Sequence, residues 1–268
     1  MASFSVVNNI TSSYAQTNLQ ATQLGLQKAL SRLSSGYRIN SAGDDAAGLA
    51  VANSYRNSTA ILAQGIRNAN DGLSDLQIKD GALSNISTLL DRLATLATQA
   101  ASGKVGIDLG ALNSEFDKVR TEITREAAVA GLGSAQGFSV FVSNSANAAD
   151  GKVTGSIGAV TLASLNIDGL SIDSQGNAMG AVASVAAAVS SLGAVQSEVG
   201  QAQNNLQFAI NLAQSQQVNT KAAESRIRDA NVAEEAANMT RYNILTQSGI
   251  AALAQANQSS SAVLALLR

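Results

Sequence analysis

The chain has 268 residues, 17 Lys+Arg against 19 Asp+Glu, a net charge of −2, and no His, Cys, Trp or Pro. Disulfides, thiolate nucleophiles, histidine general bases and ordinary zinc or haem sites are therefore excluded. With charged residues at 13%, about half the usual share for soluble domains, and no Lys/Arg cluster, nucleic acid is not an expected partner.

The absence of proline favours long helices. The first segment, residues 1–27, has no Asp, Glu, Lys or Arg. Leu19, Leu26 and Leu33 recur every seven residues, with Leu30 and Tyr37 four after two of them, the spacing of a coiled-coil seam. Residues 36–45 (GYRINSAGDD) form a Gly-punctuated break, after which Asp44 or Asp45 is placed to cap the next helix.

Residues 46–100 read as one helix of about 80 Å, with two apolar stripes that include Leu62, Ala69, Leu76, Leu83 and Leu90 on one and Ile86, Leu93 and Leu96 on the other. A turn over 102–110 leads to a helix over 111–130 with Leu112, Phe116, Val119, Ile123 and Ala127 on one face. Residues 131–178 change character: Gly becomes frequent, and alternation over Phe138–Val142 and Gly158–Ile172 predicts a small β-rich region. Helix returns over 179–224, with Val182, Val185, Val189, Leu192, Val195, Val199, Leu206, Ile210 and Leu212 expected to pack.

The last segment places Val232, Met239, Leu253 and Leu267 on one heptad position and Ala236, Ile250 and Leu264 on the other. Residues 242–267 again carry no Asp, Glu, Lys or Arg. Asn, Gln, Ser and Thr can be buried against a neighbour without the desolvation penalty of a charge, so both ends read as segments buried in something other than their own monomer. Two heptad segments at opposite ends predict antiparallel pairing. The fold expected is mainly α: a long antiparallel helical bundle or coiled coil with a small β hairpin region inserted mid-chain. No stretch approaches about 18 consecutive apolar residues, so no membrane span is expected. Nor is there a basic n-region at the start.

Apparent catalytic motifs reduce to structural ones. Gly131, Gly133 and Gly137 have the wrong spacing for a dinucleotide loop and follow a helix. Asp44-Asp45 and Glu234-Glu235 are helix neighbours about 100° apart and cannot share a proton. No cofactor, metal or enzymatic activity is expected.

Residues 32–52 (RLSSGYRINSAGDDAAGLAVA) and 65–84 (GIRNANDGLSDLQIKDGALS) resemble the N-terminal signature of bacterial flagellins, and residues 222–245 and 251–268 (AALAQANQSSSAVLALLR) resemble their C-terminal signature. The similarity is collinear over roughly 1–130 and 180–268, in a short form without large outer domains. It implies a structural subunit that polymerises with copies of itself into an extracellular flagellar filament for swimming. It implies export without a cleaved signal by the flagellar type III apparatus with an export chaperone, and assembly beneath a cap protein onto a hook-associated junction protein.

By the same resemblance, 1–43 is an N-terminal inner-core helix and linker, 44–130 the N-terminal helices of the rod domain, 131–178 a β-rich tip, 179–225 the C-terminal rod helix, and 226–268 the C-terminal inner-core helix. Leu19, Leu26, Leu30, Leu33, Met239, Ile250, Leu253, Leu264 and Leu267 are the expected self-assembly residues. Some flagellins are read by a toll-like receptor through a patch matched here by Arg92, Leu96 and Glu115. Thr95 stands where those relatives have Glu, which implies weak recognition. Two other readings share the helical logic: a surface or host-receptor-binding homologue, and a hook–filament junction protein, which usually lacks the ANQ…VLxLLR type of ending.

Overall fold

The computed structural model describes residues 9–103, 108–143 and 151–266, with side chains described as far as Gln258. It has five helices, α1 (Ile10–Ser35), α2 (Ala46–Ala101), α3 (Leu109–Val129), α4 (Gln175–Arg228) and α5 (Val232–Leu266), and two strands, β1 (Gln136–Phe141) and β2 (Lys152–Ile157). This is the mainly α architecture with one mid-chain hairpin that the residue patterns predict.

The chain divides into two compact units. One comprises residues 1–57 and 219–268, the other Ser58–Val218. The second holds a continuous apolar core. On α2 the buried residues keep a heptad beat, Leu62, Ala69, Leu76, Leu83, Leu90 and Ala97, with Ile86, Leu93 and Ala100 at the intervening position. On α4 the same beat runs through Ala178, Ala181, Val185, Ala188, Leu192, Val199, Ala202, Leu206 and Ala213. Phe116, Ile123 and Ala127 of α3 join the same cluster. The alanines on α4 let large side chains opposite them fill the core without overpacking. Lys79 falls on the intervening α2 position yet is buried, its Nζ 2.7 Å from Asp75 Oδ2 one turn earlier.

Two expectations are corrected in this unit, and a third feature bears on membrane crossing. Val189 and Leu212 of α4 are exposed, because the buried stripe follows the Ala-containing heptad instead of the valine spacing. Residues 158–172 form turns and no strand; their alternation instead sends Val160, Leu165, Ile167 and Ile172 into the core from a loop. And α4 contains an 18-residue stretch long and apolar enough to cross a membrane by length and composition alone. Its hydropathy comes from Ala and Val, and Ala181, Val185, Ala188 and Leu192 within it belong to the core cluster.

The hairpin pairs β1 and β2 antiparallel, from Gln136 opposite Ile157 to Phe141 opposite Lys152. Its seat on α2 is made of small residues. A Cβ on Gly65 would lie 2.0 Å from the Val142 carbonyl oxygen, and one on Gly72 2.9 Å from Val140 Cγ2. The Phe138 ring lies over Gly155, its cross-strand neighbour.

Candidate assembly surface

The expected site residues lie mostly in the first unit, where α1 packs on α5. Asn9 caps α1 by accepting the Ser12 N–H at 3.0 Å, and its Nδ2 donates to the Ala256 carbonyl at 3.1 Å. Ser12 Oγ lies 3.0 Å from Asn257 Oδ1. Farther along, Leu19 lies against Gly249 and Gly25 against the Tyr242 ring. Arg32 Nη1 is 3.1 Å from Glu235 Oε1. The contacts descend α1 as they climb α5, so the pair is antiparallel, as the two seams predict.

The seam itself is not the one the leucines suggest. The α1 residues turned inward are Ser12, Ala15, Leu19, Thr22, Leu26, Ala29 and Leu33, and the α5 residues are Glu235, Met239, Tyr242, Thr246, Gly249, Leu253 and Ala256. Leu19, Leu26, Leu33, Met239 and Leu253 thus stand on it. Leu30 and Ile250 do not: each is 55% exposed. Val232 is exposed as well, and Ala236 lies beside the seam heptad. The second seam position of α1 is taken by Ala15, Thr22 and Ala29, and that of α5 runs Glu235, Tyr242, Gly249 and Ala256; where Gly249 faces Leu19 the approach is close, since a Cβ there would lie 3.1 Å from Leu19 Cδ1. Leu264 shares the heptad position of Ile250; its side chain and Leu267 lie outside the described residues.

Tyr37, also expected on the seam, sits past the end of α1. Gly36 ends that helix in the left-handed region (φ 74°) with its N–H on the Arg32 carbonyl. Tyr37 then forms a short antiparallel bridge with Asp229. Arg38 N–H donates to the Arg228 carbonyl at 2.6 Å, Ala230 N–H donates to the Gly36 carbonyl at 2.9 Å, and the Arg228 guanidinium lies 4.1 Å over the Tyr37 ring. The two connectors are thus tied to each other.

The two aspartates divide their work. Asp45 accepts the Gly48 N–H at 2.8 Å and caps α2, while Asp44 accepts from the Ser41 N–H and hydroxyl, both at 3.1 Å, with Lys28 Nζ at 3.2 Å. The Ser41 N–H first, then Lys28 and the Ser41 hydroxyl, hold the Asp44 carboxyl down at about 2. A depressed carboxyl favours the folded connector above its ordinary pKa, and that contribution fades as pH falls toward the folded value. A carbon-detected NMR titration should therefore place the Asp44 midpoint near 2 and move it upward in Lys28→Ala; a midpoint in the ordinary carboxylate range would refute the arrangement. Glu234 and Glu235 lie in the first turn of α5, where the helix dipole favours them. Glu235 has the additional partner Arg32, a contact between distant residues that no local motif announces.

Outside the seam, the first unit exposes Ile10, Tyr14, Leu24, Leu30, Val232, Ile244, Leu245 and Ile250. Its own fully buried apolar side chains, among the described residues, are Ala29, Ile39 and Ala52. More large apolar groups therefore face outward than inward, the reverse of an independent folding unit. The second unit carries the residues matched to a receptor patch. Arg92 donates from Nε to Glu115 Oε1 at 3.0 Å, but Leu96, at 1% exposure, belongs to the core. The three side chains consequently do not make one exposed surface, because the α2 stripe that buries Leu93 and Ala97 also takes in Leu96.

Residues 6–133 match the family model described as the bacterial flagellin N-terminal helical region, and residues 178–267 match that of the C-terminal helical region. The chain is 35% identical over 250 residues to a flagellin of Halalkalibacterium halodurans, covering 90% of this chain and 92% of that protein. It is 32% identical over 287 residues to the flagellar filament 33 kDa core protein of Treponema phagedenis, covering 97% and 99%. The crystal structure of Bacillus cereus flagellin aligns with a TM-score of 0.48 at 24% identity, over 55% of this chain and 88% of that one. With both terminal helical regions matched in order and relatives aligned along nearly their whole length, the chain belongs to the bacterial flagellin family.

Proposed function

We propose that the chain is a structural subunit of an extracellular flagellar filament, and that its α1–α5 pair is the part buried between copies. The observation that carries this reading is the exposed apolar set on a nearly charge-free pair of helices, Leu24, Leu30, Ile244, Leu245 and Ile250 foremost. Covering a Leu- or Ile-sized side chain is worth about 1.5–3 kcal/mol, and no carboxylate or ammonium between residues 242 and 267 has to be desolvated. Export through the flagellar type III apparatus with a chaperone, capping at the growing tip and docking on a junction protein follow from family membership as further parts of the proposal. A junction protein would add to the end of a hook without growing further, whereas this chain should elongate its own seeds.

Limited proteolysis read beside negative-stain microscopy tests the reading. Seeded or salted-out protein should form filaments. In the free chain, α1 and α5 should be clipped while Ser58–Val218 resists, because the first unit buries so little apolar surface that its opening costs little. In filaments the same sites should be protected. Failure to elongate seeds, or equal protection of the ends in free chain, would count against it.

A further inference from the structure

The apolar repeat of α1 does not by itself set the register of the terminal helix pair. On α1 one seam position reads Leu19, Leu26, Leu33 and the other Ala15, Thr22, Ala29. Sliding that helix by one heptad replaces leucine with leucine and a small residue with a small residue. The α1 repeat is therefore nearly blind to a slip.

Among the described residues, two contacts near the connectors break that degeneracy, besides the Asn9–Ala256 and Ser12–Asn257 hydrogen bonds at the other end of the pair. A Cβ on Gly25 would lie 2.6 Å from Cε1 and Cζ of Tyr242, so the ring occupies space that only a glycine leaves open. A slip by a heptad carries Tyr242 to the level of Asn18 or Arg32, both of which have side chains. The second contact is Arg32–Glu235 at 3.1 Å, with the two side chains 28% and 10% exposed. The same slip would separate them and leave the Glu235 carboxylate shielded from water without its cation. Nearby, the Tyr37–Asp229 bridge ties the connectors at the same end of the pair.

Resting on the assembly reading above, we propose that Gly25–Tyr242 and Arg32–Glu235 are register pins: they select one alignment of α1 on α5, so that every subunit presents Leu30 and Ile250 at the same height to its neighbours. Ordering starts at this end, where the connectors already hold the helices together, and runs outward to the repetitive, less specific part of the seam.

The absence of native cysteine makes register measurable by disulfide trapping. A Cβ at Gly249 lies 3.9 Å from Leu19 Cβ, within the span of about 3.5–4.5 Å that a disulfide requires. Leu19→Cys with Gly249→Cys therefore reports the native register. Leu26→Cys or Ser12→Cys, each with Gly249→Cys, reports a slip of one heptad in either direction. The full chain is oxidised both free and assembled; an intramolecular link gives a fast-running monomer band and an intermolecular one a dimer.

Closure is expected at the native pair and not at the shifted ones. Adding Arg32→Ala and Tyr242→Ala should lower native closure relative to shifted closure about tenfold. Retention of native closure alone in that background overturns the proposal. If that background closes no pair, charge exchange decides. Arg32→Glu should lose native closure and Arg32→Glu with Glu235→Arg should regain it; no recovery likewise overturns the pins. Failure of the unmodified chain to form filaments would instead overturn the assembly reading, while trapping in the free chain still reads the register.

Discussion

Leu30→Glu and Ile250→Glu are each expected to abolish filaments, or to raise the critical concentration at least about a hundredfold, while leaving the melting of the free chain unchanged. Both side chains are 55% exposed and lie off the α1–α5 seam, so a carboxylate there meets water in the monomer. In a filament that covers them, an uncompensated charge is buried, at a cost of about 3–5 kcal/mol, and each ~1.4 kcal/mol is tenfold in an association constant. Burial raises a carboxyl's pKa, so assembly should partly return as pH falls into and below the ordinary carboxylate range. The conservative partners Leu30→Ala and Ile250→Val should assemble with smaller shifts. Normal filaments from both Glu variants, at unchanged critical concentration, would place assembly elsewhere on the molecule.

The second large effect is on stability. Gly65→Ala should lower the thermal transition of the second unit by roughly 5–10 °C, although alanine is by itself the better helix former. The added Cβ would meet the Val142 carbonyl oxygen at 2.0 Å and its carbon at 2.6 Å. These are backbone atoms, so neither can rotate away; the end of β1 must lift from α2 or the helix must shift. Overpacking of this kind costs about 1–3 kcal/mol and sometimes more, and in a unit of this size ~1 kcal/mol moves the transition by about 2–4 °C. Gly81→Ala is the matched control on the same helix. Nothing lies within 4 Å of a Cβ there, and the residue is exposed, so the change should stabilise by up to about 1 kcal/mol. Differential scanning calorimetry giving the two substitutions the same sign would show that the hairpin is not seated on Gly65.

Much of the molecule was legible in its residues because the information was local or periodic. Without proline and with abundant Ala and Leu, long helices follow from propensity. Leu19, Leu26 and Leu33 at sevenfold spacing identify a seam position, and the charge-free stretches mark the ends as segments that cost little to desolvate. Signatures at both ends, quoted residue by residue, point to the flagellin family, which the matched terminal regions show.

What the residues could not decide was which neighbours of a correct seam position face the partner. Hydrophobicity favoured Leu30 and Ile250; the structure turns them outward and uses Ala29 and Gly249 instead, since the closeness of two backbones is a property of the pair and invisible in either helix alone. Strand-like alternation over 158–172 likewise became a loop anchored by Val160, Leu165, Ile167 and Ile172, because a period of two records which side chains are buried and not whether a neighbouring strand exists to bond their backbone. Leu96 was drawn into the core and away from Arg92 and Glu115 for the same kind of reason. Helices, apolar spacing and the placement of charge follow from residues near one another in the chain. The faces, the Gly25–Tyr242 and Arg32–Glu235 contacts and the hairpin's seat on Gly65 emerge from the packed molecule alone, because each depends on the distance between groups far apart in sequence.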